Sequence, residues 1–99
     1  MALPVALDQE RVADFCRGHG IRKLSLFGSV LRDDFGPDSD VDVLVEFLPE
    51  APLSLFRLVA MEEELSAIVG WKVDLRTPEE LSPYFRDKVL ATAEVQYAA

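Results

Sequence analysis

The stretch that decides the fold is FGSVLRDDFGPDSDVDVLVEF, Phe27 to Phe47. Its second half alternates. Val41, Val43, Val45 and Phe47 fall on one face of a strand, and Asp40, Asp42, Leu44 and Glu46 on the other, because successive strand side chains point to opposite faces. The apolar face reads as core. Upstream, IRKLSLF (residues 21–27) reads as another strand, with Leu24 and Leu26 on one face, and it delivers the chain to Gly28-Ser29. SVLRDDF (29–35) predicts a short helical turn, and GPDSD (36–40) is turn chemistry: Gly36 and Pro37 break the helix, and Asp and Ser side chains bond nearby backbone groups.

Working outward, Asp8 is a plausible N-cap for a helix carrying Val12, Phe15, Cys16 and His19, with Gly18 or Gly20 as its stop. After the loop LPEAPL (48–53), Ser54 caps a helix whose apolar stripe of Leu55, Leu58, Val59, Met61, Leu65, Ile68 and Val69 reads as packing up to Gly70. WKVDLR (71–76) predicts a third strand with Trp71, Val73 and Leu75 inward and Lys72, Asp74 and Arg76 opposite, so that Asp74 shares a face with Asp40 and Asp42. TPEE is a capping box on Thr77, Pro78 and Glu80, and Ser82-Pro83 restarts a last helix carrying Phe85, Val89 and Ala93. This order predicts an α/β fold: one domain over residues 1–99, with a small three-stranded sheet and flanking helices. The first connection is too short for a parallel crossover, so the sheet is expected to be mixed.

Composition narrows the function. The 99 residues carry 18 acidic and 10 basic side chains, a net charge of −8 that repels a phosphate backbone and argues against DNA or RNA as the main partner. The acidity suits divalent cations or a basic protein partner. No apolar run approaches the roughly 20 residues that cross a bilayer, and MALPVALDQE lacks the basic and long apolar regions of a signal peptide, so a cytoplasmic protein is expected. Cys16, the single cysteine, cannot form an internal disulfide, and one Cys with one His makes no zinc ligand set. Both Cys16 and His19 read as structural.

Residues two apart on a strand place their side chains roughly 6.5 to 7 Å apart on one face, so the carboxylates of Asp40 and Asp42 can converge on one or two cations. Hard oxygen donors without His or Cys favour Mg²⁺, with Mn²⁺ as the substitute. Alternating aspartates alone are common on a wet strand face. A calcium loop starting at Asp38 fails, because Val43 occupies its glycine position and Pro49 its final glutamate position. The upstream Gly28-Ser29 adds weight: glycine lets backbone N–H groups approach a phosphate, Ser29 adds a hydroxyl donor and Arg32 a guanidinium. Singly these are a turn, a cap and a solvated charge. Together they describe one device, in which the glycine turn holds the phosphates of a nucleotide and the aspartates hold cations that bridge them to an acceptor hydroxyl.

GSVLR followed by SDVD resembles the Gly-Ser, Arg, Asp-x-Asp signature of the DNA polymerase beta type nucleotidyltransferase superfamily, and the short chain is similar to its minimal nucleotidyltransferases, the MNT proteins. The resemblance implies that Gly28, Ser29, Arg32 and Ser39 contact the nucleotide. It implies Asp40, Asp42 and Asp74 as Mg²⁺ ligands and catalytic carboxylates, with Asp74 helping to deprotonate the incoming hydroxyl. Leu31 and Asp33 depart from the pattern, since many relatives carry a small residue before the arginine and a glycine after it. The implied reaction transfers AMP from ATP, with loss of pyrophosphate, to a tyrosine hydroxyl of a HEPN-domain toxin, which makes the chain an antitoxin. A chain with no second lobe has no surface of its own to hold the acceptor, which fits a protein acceptor. Two alternatives stay open: a non-catalytic module that neutralises its partner by forming a complex, and nucleotidyl transfer to a small molecule such as an aminoglycoside, which normally requires a further substrate-binding domain.

Overall fold

The computed structural model describes residues 7–32, 35–51 and 54–99. The start at residues 1–6, Asp33 and Asp34 of the expected helical turn, and Pro52-Leu53 of the expected loop lie outside the described residues. Helix α1 spans Gln9–His19; the Asp8 side chain accepts the Arg11 N–H, and Gly20 closes the helix at φ 68°. Strand β1, Ile21–Phe27, runs into a 3-10 turn at Gly28–Leu31. The following loop is closed by Ser39, whose N–H donates to the Gly36 carbonyl at 2.9 Å and whose Oγ accepts the Gly36 N–H at 3.1 Å. Strand β2 is Val41–Phe47. Helix α2, Leu55–Val69, has Ser54 as its cap and ends on Gly70 at φ 76°. Strand β3 is Val73–Arg76. The capping box of Thr77 and Glu80 forms and heads a 3-10 turn at Pro78–Glu80, and α3, Pro83–Thr92, restarts behind Ser82 as expected.

The sheet is mixed, as expected, but among the described residues it has four strands where the sequence predicts three: Glu94–Ala98 form β4, and the order is β3-β2-β1-β4. β1 pairs antiparallel with β2 and with β4, and β2 pairs parallel with β3. Val41, Val43 and Val45 of β2 join Leu24 and Leu26 of β1, Val12, Phe15 and Cys16 of α1, and Met61 and Leu65 of α2 in one buried cluster. Burial of these side chains is the main favourable contribution to the fold, at roughly 1.5 to 3 kcal/mol for each large aliphatic side chain. Leu44 points to the opposite face and is also buried, where the Pro78–Glu80 turn packs on β2.

Two expected packing residues are not core. Leu55 is 77% exposed and Val59 52%, and the neighbouring Phe56 is 89% exposed. The first turns of α2 carry apolar side chains that nothing among the described residues covers. The free edge of β3 is closed by side chains: Ser66 Oγ accepts the Val73 N–H at 3.0 Å, and Glu62 Oε2 accepts the Leu75 N–H at 2.8 Å. Thr77 continues the pattern, its N–H donating to Glu80 Oε1 at 3.3 Å. An edge satisfied in this way offers no donors there to an added strand.

Candidate functional site

The site is built by strand register. Across β1 and β2, Phe27 faces Asp42, and across β2 and β3, Asp42 faces Asp74. Gly28, the next residue after Phe27, therefore comes up against the Asp42 side chain. It adopts φ 77°, which side-chain-bearing residues rarely reach, and a Cβ there would lie 2.2 Å from Asp42 Oδ2. The backbone at the head of the 3-10 turn thus lies against a carboxylate with no room for a side chain between them. Ser29 sits in the same turn, where its carbonyl accepts the Arg32 N–H at 2.9 Å. Arg32 leaves the turn in extended conformation, and its charge reaches Asp42.

The Asp42 carboxyl is electrostatically perturbed. Burial, and then the charges of Asp74 and Asp40, push its carboxyl above the ordinary range, while Arg76 and Arg32 pull it back. The three expected carboxylates thus share one electrostatic neighbourhood. Two of them are turned to cations of their own. Arg76 Nε lies 3.2 Å from Asp74 Oδ1 and its Nη2 donates to Oδ2 at 3.2 Å, while Lys72 Nζ stands 3.9 Å from Asp40 Oδ2. Among the described residues no three His, Cys, Asp or Glu side chains converge closely enough to form a ready metal cluster.

The donor set nevertheless fits a hard divalent cation, since all three candidate ligands are carboxylates. Their mutual repulsion at Asp42 is the charge deficit that such a cation offsets. Ser39 is committed differently from the other expected residues: beyond its bonds to Gly36, its carbonyl accepts the Trp71 indole N–H at 2.6 Å. It shapes the mouth of the site together with Asp40, and the two line a cleft of about 520 Å³ with Pro37, Asp38, Trp71 and Lys72. On the far side, Asp74 lines a second cleft of about 390 Å³ with Leu55, Val59 and Glu80.

Arg76, Lys72 and Glu80 were not singled out by sequence reasoning. The available signal was VDLR, in which Asp74 and Arg76 stand two apart and so share a strand face. Cys16 and His19 stay outside the site, as expected. The Cys16 thiol is pushed up to about 12 by burial and is inert at neutral pH. His19 Nε2 meets Glu64 Oε2 at 2.6 Å, tying α1 to α2.

The family described as Nucleotidyltransferase domain matches residues 10–95. A Methanocaldococcus jannaschii protein with the provisional name protein adenylyltransferase MJ0435 is 37% identical over 75 residues, covering 76% of this chain and 78% of its own length. Protein adenylyltransferase MntA of Thermococcus cleftensis is 46% identical over 56 residues, 57% of this chain and 54% of that one. Among solved structures, a chain from the complex of a tri-AMPylated Shewanella oneidensis HEPN toxin with an MNT antitoxin superposes with a TM-score of 0.63 at 16% identity, over 92% of this chain and 70% of its own, a likeness of fold.

Proposed function

The chain belongs to the nucleotidyltransferase domain family, and on that premise we propose that it transfers AMP from ATP, with Mg²⁺, to a tyrosine hydroxyl of a HEPN-domain toxin and so acts as an antitoxin. The observation that carries the reading is the contact of Gly28 with Asp42, in register with Asp74. It brings the backbone turn that this reading assigns to the phosphates against a group of carboxylates, and a cation between the two would offset the repulsion there. The names of the adenylyltransferase relatives and the AMPylated HEPN toxin in the solved complex support the donor, the chemistry and the partner.

In this reading the N–H groups at Gly28 and Ser29, the Ser29 hydroxyl and Arg32 bind the triphosphate, and Ser39 orders the loop that presents Asp40. Asp40, Asp42 and Asp74 would hold Mg²⁺, which supplies charge neutralisation for the phosphates and the leaving pyrophosphate. Asp74, on the edge strand and open to a second cleft, takes the proton of the acceptor hydroxyl. The hydroxyl oxygen bonds to the α-phosphorus as the bond from that phosphorus to the α–β bridging oxygen breaks, and pyrophosphate carries away the electron pair. The exposed Leu55, Phe56 and Val59 beside that cleft suit a protein acceptor, which would cover them on docking. The 99 residues act as one domain, with the partner completing the acceptor side.

Incubation with ATP labelled at the α-phosphate, Mg²⁺ and the HEPN protein tests the proposal. Label on a toxin tyrosine, reduced roughly 100-fold or more by Asp42→Asn, is expected. Transfer unchanged in that variant, or no transfer by the unmodified chain, overturns it.

A further inference from the structure

We infer that Arg76 is a positioning residue that competes with the divalent cation for Asp74: it neutralises Asp74 in the metal-free chain and withdraws onto Glu80 when a cation is bound. The inference rests on the nucleotidyltransferase reading above and adds to it a residue that the signature does not contain.

The geometry is that of a side chain with two destinations. Arg76 engages both oxygens of Asp74, with Nε 3.2 Å from Oδ1 and Nη2 3.2 Å from Oδ2, and its third nitrogen, Nη1, lies 3.5 Å from Glu80 Oε2. Glu80 is itself fixed. Its Oε1 accepts the Thr77 N–H at 3.3 Å and the Thr77 hydroxyl at 3.2 Å, so the capping box of the Pro78–Glu80 turn aims the second oxygen at the guanidinium. A guanidinium spread across both oxygens takes up two of the carboxylate's lone-pair sites and sets its positive charge beside any cation that Asp74 would ligate, so the two compete for that side chain.

The contact is also weak enough to exchange. The Arg76 side chain is 47% exposed, and ion pairs at such exposure contribute little and are screened by salt. The nearby Glu80 keeps the displaced guanidinium compensated, so exchange does not strand a charge. The arginine thereby serves as a place-holder: it spares Asp42 and Asp74 part of their repulsion while no cation is present.

Mn²⁺ binding without nucleotide, followed by the electron paramagnetic resonance of free Mn²⁺, tests the inference without any turnover. Arg76→Gln is expected to bind Mn²⁺ about three- to fivefold more tightly than the unmodified chain, the size set by loss of an exposed competing pair. Arg76→Lys falls between, because an ammonium is a point charge that does not span both oxygens. Glu80→Gln retains the Oε1 acceptor of the capping box but removes the alternative partner, and is expected to bind Mn²⁺ about twofold more weakly. An arginine that only braced Asp74 gives the opposite sign, so equal or weaker Mn²⁺ binding by Arg76→Gln overturns the inference. Asp42→Asn separates the two readings. If it abolishes Mn²⁺ binding while Arg76→Gln fails to tighten it, only the role of Arg76 falls; if Mn²⁺ binding is indifferent to Asp42, the metal site and the arginine competition fall together.

Discussion

Replacing Gly28 with alanine probes the contact on which the site depends, and its cost can be worked from two separate sources. The first is conformational: at φ 77° an L-residue pays about 1 to 2 kcal/mol. The second is steric, since the new Cβ would stand 2.2 Å from Asp42 Oδ2 and 3.1 Å from Cγ. Asp42 must rotate off its preferred geometry to escape, at about 1 to 2 kcal/mol more. The sum, about 2 to 4 kcal/mol, corresponds to a melting temperature lowered by roughly 10 to 20 °C for a chain of this size. Activity should fall further than stability, because a displaced Asp42 carboxylate is no longer placed to hold the cation, and a misplacement of about 1 Å costs roughly 100-fold. Thermal melts of Gly28→Ala, Asp42→Ala and the double variant separate the two sources. With Asp42 shortened, the glycine substitution should cost only its conformational part, giving a coupling energy of about 1 kcal/mol or more. A Gly28→Ala melt within about 2 °C of the unmodified chain, or no coupling to Asp42, refutes the contact.

Asp42→Asn should melt higher than the unmodified protein at pH 7 without metal. The folded state raises the Asp42 carboxyl above its ordinary 3.8, so its contribution to stability is present below that pH and lost as the pH rises through the higher folded value; the advantage of Asn therefore disappears on acidification towards pH 4, and a lower melt at pH 7 contradicts the cause. Glu62→Ala removes the acceptor that closes the edge of β3 and leaves the Leu75 N–H unpaired, which should cost about 1 to 3 kcal/mol in urea titrations, while Glu62→Gln costs less. Phe56→Glu, at a position 89% exposed, should leave the melting temperature unchanged and weaken the complex with the HEPN protein by roughly tenfold or more in calorimetry.

Much of the fold was legible because its signals are local. Asp8 and Ser54 accept the N–H groups that their positions suggested, Gly20 and Gly70 stop their helices in left-handed conformation, and the alternation of β2 buries the valines as read. β4 escaped because its five residues lack such signals. Among the described residues Glu94–Ala98 pair with β1 alone, some 70 residues earlier in the chain, and an irregularity between Leu24 and Ser25 breaks the regular register. Leu55 and Val59 misled in the other direction: helical spacing marks an apolar stripe but not where the supporting sheet ends, so these two turn out exposed.

The site divides along the same line. That Asp40, Asp42 and Asp74 would share a face followed from strand alternation. That Gly28 would touch Asp42 depends on the β1–β2 pairing, and the spacing of fourteen residues between them carries no record of it. The ion pair of Asp74 with Arg76 was visible as two charges on one strand face, yet its second partner Glu80 arrives through the 3-10 turn that the Thr77 capping box heads, and nothing in the spacing points that turn at Arg76.

A crystal structure of the chain with Mg²⁺ and a non-hydrolysable ATP analogue tests the central claim most directly. The account predicts the triphosphate against the Gly28-Ser29 turn, with cation density contacting Asp40 and Asp42. Nucleotide bound away from that turn, or no cation between the phosphates and the aspartates, would contradict it.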